Sequence, residues 1–153
     1  MPKSLLLLLL CLCLAACGPY PRDAHDSSAR AQAAMRVGLS HDPPYVQVRD
    51  GEAPGGAEVD LIARFAAARG LRVEWVVGGH DALMEDLLAH RLHMVAGGHS
   101  PQSPWAEVGW SRDYRLPDAH DRPSRRRLAL PPGENAWHLT VDRWLHAQRG
   151  VTR

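Results

Sequence analysis

From Met35 onward, apolar positions recur in two rhythms. Met35–Ser40, Leu71–Val77 and Leu92–Ala96 are short runs rich in aliphatic residues, each closed by turn formers: His41-Asp42-Pro43-Pro44-Tyr45, Gly78-Gly79 and Gly97-Gly98. Between them, Ala57–Arg69 places Val59, Ile62, Phe65 and Ala66 on one helical face, and Gly70 follows as a C-cap. Asp81–His90 carries an apolar stripe of Leu83, Met84, Leu87 and Leu88, with Asp81 able to cap its start. Strand–helix–strand–helix–strand with short links predicts an α/β fold with parallel strands, right-handed crossovers and the first strand between the other two. Beyond Pro101 the rhythm weakens. Leu128–Leu130 is expected as a further strand of the same sheet, and Glu134–Gln148 as a helix with Trp137, Val141 and Trp144 on one face. Arg115–Arg127, "RLPDAHDRPSRRR", reads as a polar loop.

The beginning of the chain follows different rules. Lys3 precedes an apolar run, Leu5–Leu14, too short for a permanent membrane span, which needs about 20 residues. A positive start, a short apolar core and small residues before a cut describe an export signal over residues 1–16. Leu14-Ala15-Ala16-Cys17 resembles a bacterial lipobox, which implies lipidation of Cys17, a membrane anchor and a place in the cell envelope facing the periplasm. Gly18 after that cysteine is the default for outer-membrane sorting in Gram-negative lipoproteins. Cys11 and Cys13 leave with the signal, so no intramolecular disulfide is expected. Residues 17–34 hold small polar residues and two prolines and read as a flexible tether, with His25 and Asp26 solvated. The domain then spans residues 35–149.

At 153 residues the chain suits one domain. Its 18 Lys+Arg stand against 17 Asp+Glu, and removing Lys3 leaves 17 Arg against those 17 acids. This balance lacks the basic excess of a nucleic-acid binder.

In an open parallel sheet, ligands bind beyond the carboxyl ends of the strands. The three loops expected there bring His41, His80 and His99, with Asp42, Ser100 and Gln102 beside them and Tyr45 and Trp105 as stacking surfaces. Three histidines from three loops could hold a borderline metal. Each also serves its own turn, no close His pair supports a metal, and none is expected. Glu58, Asp60 and Asp81 stand at helix starts, where dipole partners are ordinary. No Ser/His/Asp order, phosphate loop or metalloprotease motif appears, so the expectation is a protein that is not an enzyme and needs no cofactor.

"MRVGLSHDPPY", "GGAEVDLIARFAAARGLRVEWV", "DALMEDLLAHRLHMVAGG" and "AEVGWSRDY" resemble, in order and spacing, the first lobe of family 3 extracytoplasmic solute-binding proteins, and "LALPPGENAWHLTVDRWL" resembles the strand and helix that return to it. The resemblance implies a single lobe of a type II periplasmic-binding-protein-like fold and a role as the substrate-binding component of an ABC importer. A small polar solute would be the ligand, and a transporter permease or envelope sensor the partner. The implied ligand-binding residues are Asp42, Tyr45, His80, His99, Ser100 and Trp105.

Two departures stand out. Ser100 falls on the family's hydroxyl position, but Trp105 falls where an arginine usually clamps the α-carboxylate of an amino acid. An indole cannot neutralise a carboxylate, so Trp105 either stacks on a flat or cationic ligand or covers exposed core. The family also enters a second lobe after the segment matching Arg112-Asp113-Tyr114, where this chain has only residues 115–127. A lone lobe would bind a solute weakly or with a partner. The alternative is an interaction or sensor module without a small ligand of its own.

Overall fold

The computed structural model describes residues 20–148. The signal-peptide reading of residues 1–16 and the lipidation of Cys17 fall outside the described residues. Among the described residues, no helix is long and apolar enough to cross a membrane.

Three parallel strands form the centre as expected. β1 (Met35–Leu39) lies between β2 (Val73–Val77) and β3 (Met94–Ala96), paired in parallel with both. β4 (Gly109–Trp110) and β7 (Ala129–Leu130) extend the sheet to the order β2-β1-β3-β7-β4, with β7 antiparallel to β3 and β4 antiparallel to β7. The residues expected to join the sheet at Leu128–Leu130 therefore do so, while β4 is too short to stand out in the sequence.

Alternation along the strands sorts the core into two layers. Met35, Val37, Leu39, Met94, Ala96, Leu128 and Leu130 face one side, against Val59, Ile62 and Phe65 of α2 (Ala57–Arg69) and Trp137, Val141 and Leu145 of α4 (Asn135–Gln148). Val95 and Ala129 face the other, against Leu83, Met84 and Leu87 of α3 (His80–Leu88). Gly38 points towards α3, and a Cβ there would stand 2.9 Å from Leu92 and 3.2 Å from Leu83. A bare backbone at Gly38 lets that helix settle on the sheet. Gly70 caps α2 in the left-handed region, φ 65°, as expected. Asp81 does not cap α3: the helix starts one residue earlier, at His80, with Gly79 before it and no side-chain cap.

Two segments differ from expectation. Residues 20–34 are not a free tether. α1 (Ser27–Ala33) packs with Ala31 fully buried, and the start of α4 holds the segment down. The buried Glu134 carboxylate accepts from the backbone N–H of His25 (2.7 Å) and Ser27 (2.8 Å), while Asp23 accepts from Trp137 N–H and Ser28 N–H at 2.9 Å. These partners are more than 100 residues apart in most cases, so local composition carried no sign of them.

Residues 115–127 are not a loop. Residues 115–126 lie within an antiparallel hairpin of β5 (Tyr114–Pro117) and β6 (Pro123–Arg126), and Arg127 follows it. Prolines argue against an interior strand, but Pro117 and Pro123 pair at the tip end of this two-stranded ribbon, where missing donors matter least. Asp118 organises the turn, accepting from the N–H groups of His120 (2.8 Å) and Arg122 (3.0 Å), which hold its carboxyl at about 2.

Candidate functional site

The carboxyl ends of β1, β2 and β3 share one edge, and the hairpin reaches it. Its centre is a buried ion cluster. Glu58, in the first turn of α2, is fully buried. One of its oxygens accepts from Gly97 N–H (2.9 Å); the other accepts from the Tyr114 hydroxyl (2.7 Å) and Arg126 Nε–H (3.0 Å). Arg126 also donates to Asp42 through Nη2 and lies over the Tyr45 ring, 3.9 Å from its centroid. Asp42 in turn accepts from Gly98 N–H at 2.7 Å. Burial alone would lower the guanidinium pKa, but the Glu58 and Asp42 carboxylates outweigh it and hold the pKa up. Burial, followed by the Glu58 charge, pushes the Tyr114 hydroxyl well above its ordinary value.

Two glycines make this packing possible. Gly97 has φ 93°, and a Cβ there would lie 2.0 Å from the Ser40 carbonyl oxygen. Gly56 has φ 110°, with Tyr45 O only 2.4 Å from the place a Cβ would take. Only bare backbone fits between these loops.

Aromatic rings form a second group beside the ion cluster. His99 is fully buried, its ring 5.0 Å from His80 and 5.1 Å from Trp110. Neither of its ring nitrogens has a hydrogen bond of good geometry, although the Val95 backbone lies close enough to favour the protonated ring slightly. Burial, with help from His80 and Arg126, pulls its pKa down to about 3, so the ring is neutral. Trp105 stands 6.3 Å from His80 and packs on the Val95–Leu87 layer, its carbonyl accepting from Trp110 Nε1–H at 3.0 Å.

The six expected ligand residues are thus gathered at one edge but already have work to do. Tyr45 lies under Arg126, Asp42 binds Arg126 and Gly98, and His99 is sealed. Ser100 donates to Gln102 Oε1 at 3.1 Å and accepts from Gln102 N–H at 3.3 Å. Trp105 covers core, and His80 stays half-exposed beside it. His41 turns outward, its Nδ1 accepting from Val48 N–H at 3.1 Å. Hence His41, His80 and His99 do not converge as a metal-ligand set. Sequence pattern does not single out Glu58 as the pivot, because a first-turn acid is ordinary, nor Arg126, because its segment reads as a polar loop. Strand alternation through Arg125-Arg126-Arg127 is the signal that could have found it.

An α/β layer of this topology, with glycine loops at its strand ends, defines one lobe of the periplasmic-binding-protein fold. Residues 35–108 match the model of bacterial extracellular solute-binding proteins, family 3. No curated protein matches the sequence. Among solved structures, the arginine-bound form of domain 1 from TmArgBP is 21% identical, covering 78% of this chain and 95% of that one at a TM-score of 0.64. The ancestral cationic amino acid solute binding protein AncCDT-1 is 12% identical, covering 83% and 93% at 0.66. An ancestral cyclohexadienyl dehydratase, AncCDT-3, is 14% identical, covering 87% and 93% at 0.61. These likenesses are of fold.

Proposed function

We propose that the protein is an envelope lipoprotein, anchored through Cys17, that presents a first-lobe edge to a partner protein. A small polar solute binds weakly to the edge alone or is held jointly with that partner, an ABC transporter permease or an envelope sensor. The observation that carries this reading is the hairpin Tyr114–Arg126, which stands where the family's second lobe would begin and closes the ion cluster from within. With one wall, a ligand would stay largely in water, whereas self-sufficient sites enclose about 70–90% of a ligand's surface. His80, Ser100 and Trp105 form the rim on which a second wall would close.

The test is calorimetry of the protein alone against the twenty amino acids and simple polyamines. Dissociation constants in the millimolar range, on the order of −4 kcal/mol, or no heat at all are expected. Micromolar binding by the isolated protein would refute the need for a second wall.

A second reading, an interaction or sensor module without a small ligand, is favoured by Arg126 itself. It takes the Tyr45 face and the Asp42 carboxylate that a cationic solute would otherwise use. Capture of one partner with the same yield in dialysed and solute-supplemented extracts supports this second reading. Solute-dependent capture supports the first.

A further inference from the structure

Away from that edge, three side chains distant in sequence meet where the N-terminal segment crosses the body. His25 precedes α1, His90 follows α3, and Glu134 precedes α4. Their ligand atoms all lie within 4.8 Å of one another. The two imidazoles are stacked, centroids 3.6 Å apart and planes 23° from parallel. His25 Nδ1 is 3.3 Å from Glu134 Oε1. Two ligands of a tetrahedral zinc with bonds of about 2.0–2.1 Å are separated by about 3.3 Å, so this pair already has the spacing of a metal edge.

The three groups are held by different elements. Glu134 is buried, and its oxygens each take one backbone N–H, from His25 and Ser27, leaving lone pairs free. His90 sits in the left-handed region, φ 56°, an uncommon conformation for a side chain of its size. Its carbonyl is fixed by Arg30 Nη2–H at 2.6 Å, and its Nδ1 is buried without a hydrogen-bond partner. Among the described residues no hydrogen-bond partner reaches that nitrogen, and in the tautomer that leaves it unprotonated its lone pair can take an ion. His25 is exposed, its side chain 54% accessible, so its ring can adjust to share an ion with His90 while its Nδ1 stays beside Glu134.

We propose that His25, His90 and Glu134 form a binding site for a borderline divalent metal ion, zinc above all, that clips the N-terminal segment to the lobe. Two imidazoles and one carboxylate suit zinc's preference for nitrogen and oxygen, and water fills the fourth position. Such an ion would tie residue 25 to residues 90 and 134, fixing the point at which the solvent-side segment joins the body.

Calorimetry and thermal unfolding of the full chain, purified in detergent, stripped by chelator and titrated with zinc sulfate, test this. One zinc per chain is expected, with the melting temperature raised by about 8 °C at a hundredfold excess over the dissociation constant. His25→Ala removes an exposed side chain, and His90→Asn keeps a residue that tolerates positive φ. Each should weaken zinc at least tenfold while the circular dichroism spectrum is kept. Hydrogen exchange over residues 22–34 should slow with zinc in the wild-type chain and not in His25→Ala. No zinc binding by the wild-type chain, or unchanged affinity in both variants, overturns the proposal.

Discussion

Replacing Arg126 with Met removes the cation that, among the described residues, pairs with Glu58 and Asp42, while keeping most of the stem's volume. Its side chain is 8% exposed and that of Glu58 fully buried, so this pair is screened little by solvent, the pair with Asp42 somewhat more. Two unit charges 4 Å apart attract by about 4 kcal/mol at an effective dielectric of 20, and stacking on Tyr45 adds up to about 2 kcal/mol. The regained hydration of a guanidinium offsets part of this. What remains is the penalty for a carboxylate left buried with only Gly97 N–H and the Tyr114 hydroxyl, about 3–5 kcal/mol in total. For a domain of this size that loss lowers the melting temperature by about 10 °C or more. Urea unfolding followed by tryptophan fluorescence, on Arg126→Met, Glu58→Gln and the double variant, measures it. The double variant should lose less than the two singles summed, by at least about 1.5 kcal/mol, because each change removes the other's penalty. Strict additivity, or a loss below about 1 kcal/mol for Arg126→Met, would refute the view that this cluster joins hairpin to lobe.

Three further outcomes are expected. Gly97→Ala, at φ 93° with a Cβ 2.0 Å from Ser40 O, should destabilise by more than about 2 kcal/mol, while Gly51→Ala, at φ 76° with nothing within 4 Å, should lose about 1 kcal/mol; equal losses would count against the close loop approach. His99 and His93 have native values of about 3 and about 4, below the 6.5 of the unfolded chain, so the unfolded state binds more protons between these limits. Stability is therefore full above about pH 6.5 and falls below it by up to about 1.4 kcal/mol per pH unit for each histidine. The urea midpoint read from about pH 7.5 to pH 5, above the range of the carboxylates, checks this, and His99→Phe should flatten it. Cys17→Ser should abolish processing at residue 17 and release the protein from detergent-phase partition; unchanged behaviour would end the lipoprotein reading.

The parallel core was legible because its signals are local. Val37 and Leu39 alternate with Gly38, Val59 to Ala66 repeat at helical spacing, and doubled glycines mark strand ends. Each needs a window of fewer than fifteen residues. What stayed hidden depends on distance. Glu134 reaches back 107 residues to Ser27, and Glu58 reaches 68 residues forward to Arg126. No window contains either pair. The candidate residues gather at the strand ends, but the contacts they make there come from elsewhere in the chain. Asp42, Tyr45 and Ser100 are candidates for a solute by composition, whereas their partners within the protein lie outside their own loops or in turn geometry that composition cannot reveal.

The hairpin leaves the sheet and returns to it at one place. Exit from the sheet and re-entry into it are neighbours: Ser111 N–H donates to Leu128 O at 3.0 Å, and Leu128 N–H donates to Ser111 Oγ at 2.9 Å. Whatever stands between these two points leaves and returns at one place, so its length can change without moving the sheet. What cannot change freely is the charge at that place. Glu58 is buried beneath the exit and needs a cation or donors above it. In Arg125-Arg126-Arg127 the strand's period of two supplies this. Arg126 turns inward to Glu58, while Arg125 and Arg127 turn to Asp113 and pin the base of the ribbon. Three identical residues thus receive two different roles from alternation alone. A hairpin of four-residue strands is too small to carry a core of its own, and this one is held by those ion pairs and by Tyr114 in the lobe's main apolar layer. The hairpin therefore fills the edge from within, its one inward arginine taking the buried Glu58 and its two outward ones taking Asp113.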